Sequence, residues 1–288
     1  MRTRALELGR RTLVMGVVNV TPDSFSDGGF FLVSDEAIAR AMKLIHEGAD
    51  ILDLGGESTR PGSKAGGVDA AVSADEEQAR VLPVIEGILK RAPQAVISVD
   101  TYKAETARAA LAAGAEIVND VSGFTWDSAM AGVCGEFRAG VVLMHTRGRP
   151  ENWRRQLQLD PDALLAMVRD GLAASLAAAE AAGVAREAIV LDPGYGFGKR
   201  GDENYRLLSR QSELLELGRP LLAGVSRKSF LGHTMAPMPE GQVAAVDARE
   251  NASLAAMTAA ILNGASIVRV HGVRAAVEAA RIADAILR

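Results

Sequence analysis

Aromatic residues are scarce in this 288-residue chain, where Phe, Trp and Tyr together make up 4%. The core must then be filled by Ala, Val, Leu, Ile and Met, and each aromatic near a site carries more information than usual. Cysteine appears once, as Cys134, which excludes an intrachain disulfide and a cysteine zinc cluster and reads as a buried structural thiol. The four histidines, His46, His145, His233 and His271, show no metal-binding spacing. No apolar run approaches the roughly 18 residues of a membrane span. The basic residues 1–4 lead only to a short apolar run at 13–18, with Glu7 between them and no small-residue cleavage site after it. These absences point to a soluble, cytoplasmic protein. An excess of basic charge is also lacking, since 32 Lys and Arg face 36 Asp and Glu for a net charge of −4. A broad surface for nucleic acid is therefore not expected, although local basic pockets remain open.

What is present is an alternation. Hydrophobic residues form 48% and charged residues 24% of the chain, ordinary values for a globular protein. Short β-branched apolar runs alternate eight times with Ala-rich helical patterns, the signature of a parallel sheet covered by helices. The expected strands are residues 12–19, 51–55, 96–100, 117–120, 141–145, 189–192, 220–225 and 267–271. Most are apolar throughout, as strands buried on both faces must be. Gly48, Gly114, Gly140, Gly183, Gly218 and Gly264 stand where helices should stop, and Pro93 stops the second. Ser73 with Glu76 fits a capping box, and Asp160-Pro161 an N-cap followed by proline at the first helical position. Eight units in 288 residues suit a single (β/α)8 TIM barrel spanning residues 1–288, with an open doubly wound sheet as the alternative. The long connections at 20–33, 57–72 and 230–247 all follow strands, which places them on the C-terminal face, where such barrels build their active sites.

Polar residues end the strands: Asn19, Asp100, Asn119 with Asp120, His145, Asp192, residues 226–228, and Arg269 with His271. One such residue is explained by a helix cap, but a set at equivalent positions converges on one mouth. Asp100, Asn119 and Asp192 suit a flat heterocycle bearing amino and ring N–H groups. Lys228, Arg269 and His271 suit an anion such as phosphate or pyrophosphate. Asn19 offers a hard oxygen for Mg²⁺, an ion that keeps several waters and shares its coordination with substrate phosphates. A heterocyclic diphosphate satisfies both groups. Other nucleotide signatures fail. Gly196-Phe-Gly198-Lys-Arg-Gly201 matches a dinucleotide fingerprint but lies at the sixth strand with no acidic residue ending the seventh, and no phosphate-binding Gly-Lys-Ser/Thr loop occurs.

The motifs carry a resemblance. Asn19-Val-Thr-Pro-Asp-Ser-Phe-Ser-Asp-Gly-Gly29, Asp53-Leu-Gly-Gly-Glu-Ser-Thr-Arg-Pro-Gly62, Ser98-Val-Asp-Thr101, Asn119-Asp-Val-Ser-Gly123, Asp192-Pro-Gly-Tyr-Gly-Phe-Gly-Lys199, Ser226-Arg-Lys-Ser-Phe-Leu-Gly232 and Arg269-Val-His271 resemble the dihydropteroate synthase family, in its order. The resemblance implies a transferase that joins 6-hydroxymethyl-7,8-dihydropterin diphosphate to p-aminobenzoate, forming 7,8-dihydropteroate for folate biosynthesis and releasing pyrophosphate. It also implies a homodimer. By it, Asp100, Asn119, Asp192 and Lys228 hold the pterin with Phe197 packed nearby, and Arg269, His271 and Asn19, through Mg²⁺, hold the diphosphate. The first two long loops resemble mobile lids, with Phe25, Asp27, Thr59, Arg60 and Pro61 closing over the reacting centre. Phe25, Thr59, Pro61 and Ser229 frame the p-aminobenzoate, and Asp27 shields a cation formed as pyrophosphate departs.

The chain departs from the family pattern at three places. Gly272 stands where Asp is usual, which removes an expected cap of the last helix. Thr146-Arg147 replaces methionine and glutamine, and Tyr195 replaces a smaller aliphatic residue, all neighbours of the expected site. Two alternatives share the barrel: a methyltetrahydrofolate-binding methyltransferase domain, which needs no diphosphate site, and a noncatalytic pterin-binding paralogue, which would lack a loop or anion residue. The presence of Asn19, Arg269 and His271 speaks against both.

Overall fold

Eight strands close into a parallel barrel in sequence order, so the open-sheet alternative is excluded. The computed structural model describes residues 4–20, 29–58, 65, 72–235 and 243–288, with side chains of the first helix from residue 34 onward. The strands are β1 (Leu13–Asn19), β2 (Ile51–Gly55), β3 (Ile97–Asp100), β4 (Ile117–Asp120), β5 (Gly140–Met144), β6 (Ile189–Asp192), β7 (Leu221–Ala223) and β8 (Ala265–Val270). The first six are followed in turn by α1 (Gly29–His46), α2 (Ala74–Arg91), α3 (Ala104–Ala112), α4 (Met130–Phe137), α5 (Pro161–Ala181) and α6 (Glu203–Ser209). The seventh crossover carries both α7 (Ser229–Met235) and α8 (Glu250–Leu262), and α9 (Val273–Leu287) covers the closing β1–β8 seam.

Alternation along the strands sorts their side chains into two cores. Val14 and Val18 of β1, Leu52 and Leu54 of β2, and Ile97 and Val99 of β3 point outward into the layer shared with the helices. Leu13, Met15, Ile51, Val96, Ile117, Val142, Leu222 and Ile267 point inward and fill the barrel, with Leu6 and Leu8 of the N-terminal segment packed against them. The outer layer is built from aliphatic and small side chains, as the shortage of aromatics requires. Gly16 shows how closely it packs: a Cβ there would lie 3.0 Å from both Leu44 and Val273.

Differences from the sequence expectation are local. β7 is shorter than expected, and β5 and β8 sit one or two residues earlier, so His145, His271 and residues 226–228 follow their strands rather than end them. The first long connection ends at Gly29, where α1 begins, and the third contains α7. Gly48, Gly114, Gly183, Gly218 and Gly264 take the left-handed conformation expected of helix stops. Gly140 does not, because Arg138 takes that position with φ 52° and leaves Gly140 to open β5. The capping box is half formed: Ser73 Oγ accepts from the Glu76 backbone N–H at 3.1 Å, but the Glu76 carboxylate pairs with Arg80 instead of turning back. Asp160 caps α5 through the N–H groups of Asp162 and Ala163.

Candidate active site

Moving two residues along a strand keeps a side chain on the same face. The face that buries Ile51 therefore next presents Asp53, Ile117 is followed by Asn119, Val190 by Asp192, and Ile267 by Arg269 and then His271. A polar layer thus lies directly on the apolar floor. Asp53 Oδ2 accepts from Asn119 Nδ2 at 3.0 Å and from Arg269 Nε at 2.6 Å. Arg269 Nη2 reaches across to Asp100 Oδ2, also at 2.6 Å. Asp120, which has the opposite parity, is not in the mouth: its carboxylate accepts from the Ser122 and Phe124 backbone N–H groups and shapes the loop after β4.

Burial dominates the electrostatics. It pushes Asp100 up to about 7, against the pull of Arg269, and raises Asp192. Burial and the neighbouring guanidinium push Lys228 down to about 7, against the pull of Asp192 and Asp100. Asp192 Oδ1 accepts from the Gly194 N–H at 2.7 Å, which leaves Oδ2 and a second lone pair for a ligand. Lys228 is aimed by a turn in which Arg227 has φ 58°, a costly conformation for a non-glycine residue. The turn is held from outside, since the Arg227 N–H donates to Ser253 Oγ at 2.8 Å and its carbonyl accepts from Arg249 Nη1 at 2.9 Å.

The two sides of the mouth differ. On the β3–β5 side Ala65, Tyr102, Val121 and Met144 form an apolar cluster with Trp126 and Phe197 against it. Phe197 stacks edge-on with Trp153 and takes the Lys228 ammonium 3.9 Å from its ring centroid. The glycine-rich turn carrying Phe197 is strapped down by buried Lys199, whose ammonium donates to the carbonyls of His145 at 2.8 Å and Gly194 at 2.9 Å. A Cβ at Gly194 would fall 2.0 Å from the His145 carbonyl oxygen, so only glycine permits this approach. On the β7–β8–β1 side stand Lys228, Arg269, His271 and Asn19, with exposed Ser229 opening α7.

His271 belongs to this cationic side as a neutral ring. Burial and the charges of Arg269, Arg227, Lys228 and Arg40 push it down to about 3. Its backbone N–H donates to Ser226 Oγ at 3.3 Å, and Oγ lies 3.0 Å from Nδ1. The Ser226 hydroxyl, with one donor and two acceptor lone pairs, pairs with Nδ1 in either tautomer of the neutral ring and leaves Nε2 for a ligand. Asn19 is the exposed end of an otherwise buried strand. No cluster of three or more His, Cys, Asp or Glu side chains able to hold a metal occurs among the described residues. One amide oxygen at the mouth fits an ion held jointly with substrate phosphates and does not fit a site made by protein alone.

Asn19, Asp100, Asn119, Asp192, Phe197, Lys228, Ser229, Arg269 and His271 thus come to one mouth. Phe25, Asp27, Thr59, Arg60 and Pro61 lie outside the described residues. Sequence reading missed Asp53 and Lys199 as parts of the site. The signal for Asp53 was an acidic residue within an apolar strand, one inward step below the strand end. Of the departures, Tyr195 points away from the mouth into the helix layer, where its hydroxyl donates to Gln211 at 2.7 Å. Arg147 and Thr146 hold the connection after β5, through the Leu157 and Gly148 carbonyls at 2.7 and 2.9 Å.

The family model for pterin binding enzymes matches residues 15–271. The dihydropteroate synthase of Synechocystis is 42% identical over 281 residues, which cover 97% of this chain and 92% of that one. This chain belongs to the dihydropteroate synthase family. Among solved dihydropteroate synthases, the Clostridium difficile protein determined in the presence of pteroic acid has a TM-score of 0.87 and 43% identity, covering 99% of this chain and 100% of that one. The Xanthomonas albilineans enzyme in complex with 7,8-dihydropteroate has a TM-score of 0.81 and 38% identity, covering 96% and 94% respectively.

Proposed function

We propose that this protein condenses 6-hydroxymethyl-7,8-dihydropterin diphosphate with p-aminobenzoate in folate biosynthesis. The observation that carries the reading is the two-sided mouth, in which carboxylate and amide acceptors beside an aromatic wall meet a cationic wall at the same depth. The carboxylates of Asp100 and Asp192 accept from the amino and ring N–H groups of the pterin, Asn119 supplies a further polar contact, and Phe197 packs on the ring beside Lys228. Arg269 and the imidazole of His271 take the diphosphate. Asn19 would hold Mg²⁺ together with that diphosphate, and the ion, when bound, neutralises charge on the departing pyrophosphate.

The methylene C–O bond breaks with its electron pair leaving on pyrophosphate, and positive charge spreads onto the ring nitrogens of the reduced pterin. The cationic wall favours this separation because its donors already face the leaving group. The arylamine, neutral near pH 7, forms the C–N bond and then loses its proton to solvent. Asp27 and Arg60 act over the reacting centre, and Phe25, Thr59, Pro61 and Ser229 frame the p-aminobenzoate. A homodimer is proposed through the C-terminal helices, where Leu262, Ile282, Ile286 and Leu287 are exposed.

The test is incubation with the pterin diphosphate, Mg²⁺ and p-aminobenzoate while following dihydropteroate and pyrophosphate. Equimolar formation of both is expected. Pterin binding without either product would instead make the protein a noncatalytic pterin binder.

A further inference from the structure

We infer that Asp53 is a positioning residue that couples the pterin and diphosphate halves of the site by holding Asn119 and Arg269 on one carboxylate oxygen. This deepens the synthase reading and rests on it. Asp53 is fully buried, and one inward step separates it from the floor residue Ile51. Its Oδ2 accepts from Asn119 Nδ2 at 3.0 Å and from Arg269 Nε at 2.6 Å. Among the described residues it is the one side chain hydrogen-bonded to both.

Two consequences follow from donor and acceptor chemistry. A carboxylate paired with a guanidinium accepts and does not donate, so the Asn119 amide must turn its nitrogen toward Asp53. Its Oδ1 is then left for the ligand, and Asn119 is set to read an N–H donor on the heterocycle. On the other side, Arg269 is planar, and bonds from Nε to Asp53 and from Nη2 to Asp100 at 2.6 Å fix that plane. The Nη1 edge stays available to an anion. Removing the Asp53 charge frees the amide to flip and the guanidinium to turn, so both halves weaken through the two bonds that meet on its Oδ2.

The experiment is isothermal titration of the full chain, with Mg²⁺, against 6-hydroxymethylpterin and inorganic pyrophosphate as separate probes. Asp53→Asn should weaken each probe by about tenfold or more, the usual scale for losing a hydrogen bond to a charged group. Asn119→Ala should weaken the ring probe alone. Combining Asp53→Asn with Asn119→Asp puts an acceptor back at position 119, so ring binding should recover to within about threefold of wild type while pyrophosphate stays weak. A purely structural role for Asp53 would not produce that split. If Asp53→Asn loses only one probe, or neither, the inference is overturned. If that single variant does not fold, the double variant decides: recovery confined to the ring probe supports the inference, and equal loss of both probes overturns it. Wild-type protein that binds neither probe would overturn the synthase reading itself.

Discussion

Single residues carry unequal weight here, and Tyr195 shows why orientation decides it. The residue before it and the residue after it belong to the glycine-rich turn beneath the mouth, yet its ring is buried in the helix layer and its hydroxyl meets Gln211. Gln211 in turn donates to the Ala260 and Asn263 carbonyls at 3.0 and 3.2 Å, so this hydroxyl links the sixth unit to the end of α8. Tyr195→Phe leaves a buried acceptor without its donor and should destabilise the fold by about 1–3 kcal/mol, read from denaturant unfolding, with little change in ligand affinity. Lys228 differs because it faces ligand. A ligand acceptor near its ammonium raises its pKa from the free value of about 7, so its contribution is present below pH 7 and lost as pH rises through the bound value. Asp100, also near 7 when free, shifts the other way on meeting ligand donors, so its contribution is full above pH 7 and is lost as pH falls through the bound value, and it releases protons on binding mainly below pH 7. Titration of the pterin probe at pH 8 in buffers of different ionisation heat should therefore show net proton uptake, and Lys228→Met should abolish it.

Elements show how a missing motif residue is replaced. Gly272 precedes α9, and no side chain caps that helix. The space a side chain would need is taken by Glu250, whose Oε1 lies 2.0 Å from the position of a Cβ built at residue 272. A carboxylate therefore still stands at the helix N-terminus, where the dipole favours it, but it comes from the start of α8. The same carboxylate meets Arg227 at 3.3 Å, within the turn that aims Lys228. Gly272→Asp alone should clash and lower the melting temperature, and adding Glu250→Ala should recover most of the loss. Equal melting temperatures for the two variants would show that Glu250 does not replace the usual aspartate.

At the scale of the whole molecule, eight units were legible in the sequence because each strand is a short β-branched run and each helix stop is marked. Closure was not legible, since periodicity is the same in open and closed sheets. The site was legible for Asp100, Asn119 and Asp192 because strands end in polar residues only where something polar is met. Parity was the missing rule: it separates inward Asn119 from outward Asp120 and would have found Asp53 below the rim. The neutral state of His271 depends on burial and four surrounding cations, which no single segment reveals. One feature of the architecture also governs traffic. Leu6, Leu8 and the inward apolar ring stopper the N-terminal end of the barrel, so among the described residues the site faces the C-terminal end alone. The two parts joined in the condensation therefore leave as one molecule through the face by which each entered.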